Sequence, residues 1–63
     1  MKKTEAEQYL DKRVKIILSN NFHFSGLVVT VLEDTLILFD KFDINVSIKL
    51  SDIMILSEVQ DGN

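Results

Sequence analysis

The chain contains no cysteine, which excludes disulfide staples and thiolate metal sites. It contains no proline, so no segment is barred from a sheet interior for want of a backbone N–H. A single histidine, His23, is present. A structural metal would therefore depend on one imidazole plus carboxylates, and a catalytic site would have one imidazole to use. No apolar run is long enough to span a bilayer. The first residues, Met1-Lys2-Lys3-Thr4-Glu5, are basic but lack the apolar stretch of a secretory signal. These absences predict a soluble, cytoplasmic protein with no membrane partner.

Sixty-three residues make one domain, 1–63, near the lower limit for a chain that folds without staples. With cysteine absent, oligomerisation is the remaining route to further burial. The apolar fraction of 46% is ordinary for a globular protein but high for so short a chain, whose monomer leaves much of its surface exposed. The formal net charge is −3, unevenly spread. Lys2, Lys3, Lys12, Arg13 and Lys15 crowd the start, and only Lys41 and Lys49 follow. Against those two stand Glu33, Asp34, Asp40, Asp43, Asp52, Glu58 and Asp61. Non-specific nucleic-acid binding is mostly phosphate neutralisation, so this balance argues against a general DNA coater. It leaves room for an assembly that gathers its cations on one face.

Thr4-Glu5-Ala6-Glu7 has the form of a capping box and predicts a helix over about 5–12. Ala6, Tyr9, Leu10 and Arg13 lie on one stripe at helical spacing. Two turns are marginal alone in water, so this helix must lie on the rest of the domain. Strands follow at about 13–19, 22–32, 35–40, 45–50 and 53–59, with a frayed tail over 60–63. Asn20-Asn21 suits a two-residue hairpin turn, because asparagine tolerates positive φ. Gly26 stands in the middle of the longest strand, where a missing side chain permits a strong bend. The fold class predicted is mostly β: a small, five-stranded, strongly bent antiparallel barrel with a short N-terminal α-helix. Several strands, Leu36-Ile37-Leu38-Phe39 above all, are apolar on both faces. One small barrel has one interior, so the second apolar face asks for a partner.

The short helix, the five strands and Gly26 within a long second strand resemble the Sm-like family, which includes the Sm proteins and bacterial Hfq. The resemblance covers about residues 5–59, and the spacing is closest to Hfq. Ile16-Ile17-Leu18, Asn20-Asn21, Phe22-His23-Phe24-Ser25, Gly26, Glu33-Asp34 and Leu36-Ile37-Leu38 stand at corresponding places. Ile48-Lys49-Leu50-Ser51-Asp52-Ile53 is similar to the second Sm motif, with Lys49 at its Arg position and Leu50 at its Gly position. Leu32 replaces the family Asp at the end of the second strand, and the Tyr-Lys-His segment of Hfq is missing. An SH3-like barrel that binds a peptide as a monomer is the other small-barrel reading.

The resemblance implies a homo-oligomeric ring of roughly five to eight copies, in which the fourth strand of one copy pairs with the fifth of the next. Val46, Ile48, Met54, Ile55 and Leu56 are then the interface residues. It also implies single-stranded RNA as partner, read by stacking and by polar contacts to base edges. A pore-side site would use Lys49, Ser51 and Thr35, and a second site on the opposite face would use Asn20, Asn21 and His23, with Ser25 beside them. Tyr9 could stack on a base but equally suits a helix-to-barrel contact. A ring-forming scaffold of the same fold without RNA binding is the alternative function.

No catalytic constellation is visible. A hydrolytic triad needs a nucleophile, a base and an orienting acid in contact, and His23 between Phe22 and Phe24 reads as a solvent-facing strand residue. No P-loop, dinucleotide fingerprint or metal-spaced cluster occurs. Asp40, Asp43 and Asp52 are spaced as turn residues; Asp40 and Asp43 could alternatively hold a hard cation. No enzyme activity, cofactor or metal is expected.

Overall fold

A computed structural model describes residues 1–59; the tail expected over 60–63 lies outside the described residues. The order is α1 (Lys3–Glu7), β1 (Arg13–Leu18), β2 (His23–Leu32), β3 (Thr35–Phe39), β4 (Asn45–Lys49), a 3-10 turn (Leu50–Asp52) and β5 (Ile53–Glu58). All strand pairs are antiparallel, in one sheet of order β4-β3-β2-β1-β5. The sheet is not closed: β4 and β5 are its two edges, where a complete barrel was expected. Closure requires β4 and β5 to pair, and within one chain they do not.

The core follows from alternation. Val14 and Ile16 of β1, Val28 and Val31 of β2, Leu36 and Leu38 of β3 and Ile48 of β4 are buried together. Ala6 of α1 and Leu50 of the 3-10 turn complete that cluster. Leu56 of β5, Tyr9 and Phe24 pack against its margin. Because both edge strands contribute, the sheet curls around one core. Ala6 makes the helix's core contact, and Tyr9, just past the helix, packs beside it.

The helix is shorter and earlier than the capping box at Thr4 suggests. The Lys2 backbone N–H donates to Glu5 Oε1 at 2.9 Å, which starts the helix two residues sooner. After Glu7 the bonds tighten to the three-residue spacing, with Tyr9 N–H on Ala6 O at 3.0 Å and Lys12 N–H on Tyr9 O at 3.0 Å. The chain is then captured by the sheet. Asp11, at φ 64°, donates its N–H to Val28 O at 2.9 Å, and Val28 returns one to Lys12 O at 3.1 Å. Those sheet bonds hold the backbone at 11–12 in a geometry a helix could not share.

The β1–β2 turn has three residues, Ser19 to Asn21, rather than two. Leu18 N–H donates to Phe22 O at 2.8 Å, and only Asn21 takes positive φ, at 70°. Asn20 Oδ1 accepts from Phe22 N–H at 3.1 Å, an Asx-type closure.

Gly26 has ordinary strand φ, and the ladder irregularity in β2 falls at Val29, between Val28 and Thr30, not at the glycine. What Gly26 supplies is room. A Cβ there would collide with the Phe39 carbonyl oxygen and lie 3.1 Å from Asp40 Cα. The end of β3 and the start of the β3–β4 loop therefore rest directly on β2. A second bulge occurs where Ile55 opposes Ile17 and Ile53 opposes Leu18, leaving Met54 without a partner on β1.

Candidate nucleic-acid interface

Three turns converge at one end of the sheet. Leu50 N–H donates to Asp34 O at 2.8 Å, joining the 3-10 turn to the β2–β3 turn. Ser19 N–H donates to Asp52 O at 3.0 Å, joining the same 3-10 turn to the β1–β2 turn. Thr35 and Lys49 are direct cross-strand neighbours. The pore-side set Lys49, Ser51 and Thr35 is thus gathered in one place. Asn20 and Asn21, expected on a different face, approach it through the Ser19–Asp52 bond. This end is acidic on balance, with three carboxylates against Lys49 and the Met1 ammonium, which donates to Leu50 O at 3.3 Å. Lys49 shares it with Glu33, Asp34 and Asp52, all exposed, and the Thr35 hydroxyl donates to Asp34 Oδ1 at 3.1 Å. A polyanion approaching Lys49 meets three carboxylates within about a Debye length.

His23 belongs elsewhere. It opens β2 opposite Ile17 of β1, and two residues on, Ser25 stands opposite Lys15. On its other side Lys15 faces Ser57 of β5. Lys15 therefore has a hydroxyl-bearing neighbour on each flanking strand and His23 on the diagonal, within reach of a long side chain. Three adjoining depressions share Ser25 as a lining residue. One is lined by Arg13, Gly26, Lys41 and Val59, another by Lys15, His23 and Phe24, and the third by His23, Asp40, Lys41 and Phe42. The largest has a volume of about 380 Å³.

The wall of this cleft is the β3–β4 loop, which Asp40 organises. Its Oδ1 accepts from Phe42 N–H at 2.8 Å and Ile44 N–H at 3.1 Å, while Asp40 N–H donates to Ile44 O at 3.0 Å. Asp43 occupies φ 62° to turn the chain back. Asp40 and Asp43 thus act as turn formers, and among the described residues no three His or carboxylate side chains gather to hold a metal ion. The loop presents Lys41 with its Nζ 5.3 Å from the centroid of the Phe42 ring. Phe42 is 70% exposed. Arg13, Lys15, Lys41, His23, Ser25 and two phenylalanines therefore line adjoining depressions in which, among the described residues, Asp40 is the only lining carboxylate, with one oxygen turned into its own loop.

The sequence places Ser25 beside His23 as candidates; the structure brings Lys15 and Lys41 to the same surface. The strand alternation put Lys15 next to Ser25 in principle. Lys41, sixteen residues from Ser25 in the chain, reaches it only because Gly26 lets the loop descend.

The interface residues divide. Ile48 is buried in the chain's own core, and Val46 and Leu56 are half-buried against it. Met54 and Ile55 on the β5 edge are 56% and 48% exposed. Among the described residues no helix is long and apolar enough to cross a membrane. No family model, curated protein or solved structure matches this chain.

Proposed function

We propose that this protein is an Sm-like subunit that assembles into a homo-oligomeric ring of roughly five to eight copies and binds short single-stranded RNA in the cytoplasm without catalysis. The observation that carries this reading is the open sheet: β4 and β5 are unpaired edges of similar length, and β5 exposes Met54 and Ile55. An exposed apolar edge is an aggregation hazard unless a partner strand covers it. Pairing β5 of one copy with β4 of the next satisfies both edges and returns a strand to each curled sheet. RNA enters through the cation- and aromatic-lined cleft around Ser25, since stacking rings and a basic groove are what single strands require. Lys49 and Ser51 add a weaker contact.

Native mass spectrometry of the protein alone, and with short oligo-U and oligo-A RNA, tests both halves. A closed ring carrying RNA is the expected result, and Ile55→Lys should reduce it to smaller species. A monomer overturns the assembly. A ring that ignores both RNAs leaves a scaffold of the same fold, the reading that the acidic turn end favours.

A further inference from the structure

We propose that the cleft around Ser25 recognises a terminal phosphomonoester of a nucleotide, rather than the internal phosphodiesters of a passing strand. The proposal rests on the RNA reading above and names which part of the nucleic acid is held. Its basis is a set of cations placed around one hydroxyl on three adjoining open depressions. Lys15 comes from the middle of β1, Lys41 from the β3–β4 loop and Arg13 from the start of β1, and all line depressions that share the Ser25 hydroxyl. The imidazole of His23 adds a polar donor beside them. A terminal phosphate carries up to two charges on three oxygens, where an internal phosphodiester carries one. Cations on adjoining depressions around one hydroxyl match the first better than the second.

Two further observations limit the occupant's size. The depression that the β3–β4 loop walls with Asp40, Lys41 and Phe42 measures about 220 Å³, and the adjoining one at Lys15 and His23 about 380 Å³, both at or below the small-ligand end of binding-site volumes. The surroundings are also unfavourable for a long strand. The chain has net charge −3, and the converging turns carry Glu33, Asp34 and Asp52. A ligand whose charge stays inside the cleft gains the attraction without the repulsion outside it. The exposed Phe42 ring at the rim offers a flat surface to the base attached to that phosphate.

The same chemistry could arrive as a free nucleotide or as the end of an RNA, and the test separates them. Fluorescence anisotropy of the intact assembly is measured with a labelled oligo-U hexamer bearing a 5′-phosphate, a 3′-phosphate or hydroxyl ends. Uridine, uridine 5′-monophosphate and inorganic phosphate serve as unlabelled competitors. A phosphorylated end should bind at least fivefold tighter than hydroxyl ends. Lys15→Ala and Lys41→Ala should each erase that advantage while the circular dichroism spectrum and oligomer mass stay unchanged. Uridine monophosphate should compete where uridine does not, and Phe42→Ala should bring it down to the level of inorganic phosphate. Equal binding of all hexamers overturns the end-recognition proposal while the RNA reading stands. Competition by inorganic phosphate equal to that of the nucleotide in the unaltered protein overturns a nucleotide ligand. Binding of the free nucleotide with no hexamer bound supports the cleft and removes RNA.

Discussion

The turn end around Lys49 and the cleft around Ser25 carry comparable polar groups and opposite electrostatic surroundings. Each has hydroxyls: Thr35 and Ser51 at the turn end, Ser25 and Ser57 along the Lys15 row. At the turn end Lys49 and the Met1 ammonium stand among Glu33, Asp34 and Asp52, and Thr35 is already bonded to one of them. In the cleft Arg13, Lys15 and Lys41 line the depressions that share Ser25, and Asp40 has its Oδ1 committed to two backbone N–H groups. The difference teaches that in an acidic chain a cation's worth depends on what the fold has done with the nearby carboxylates. At Lys49 they remain on the surface. In the cleft the one lining carboxylate among the described residues turns one oxygen into its own loop.

Reversing the cleft's charge attacks this contrast most directly. Lys15→Glu combined with Lys41→Glu should weaken RNA binding by about 100-fold, roughly 2.7 kcal/mol, in anisotropy at fixed salt. Retained affinity would place the RNA outside the cleft. Next in size is the floor. Gly26→Ala forces a methyl group into the Phe39 carbonyl, and overpacking of that kind costs about 1–3 kcal/mol. Thermal unfolding should show a lower Tm, and RNA affinity should fall with it because the loop carrying Lys41 is displaced. An unchanged Tm would mean that the contact at Gly26 is not constraining.

The contrast can also be sharpened from the acidic side. Glu33→Gln with Asp34→Asn keeps an acceptor for the Thr35 hydroxyl and removes two like charges. It should strengthen RNA binding about threefold at low salt and by less at high salt, as screening demands. The smallest change belongs to Lys49→Ala. It should weaken binding about twofold and lower the slope of log K against log salt by about 0.7, the value for one contact to a single strand. A tenfold loss there would make the turn end the primary site.

Alternation, turn chemistry and composition made much of the fold legible in the sequence. The five strand positions and the β-rich class could be read from Val14, Ile16, Leu36 and Leu38 and from the doubly apolar strands. Those signals are local, with a period of two residues, and survive without knowledge of neighbours. The tertiary structure decided what depends on capture by a distant segment. The helix ends early because residues 11–12 are held by Val28. Gly26 serves a crossing loop rather than a bend because Phe39 and Asp40 come to lie on it. The gathering of Lys15, Lys41 and Ser25 is of the same kind: three strands and a loop have to pack before these side chains share a surface, and no spacing along the chain records that distance.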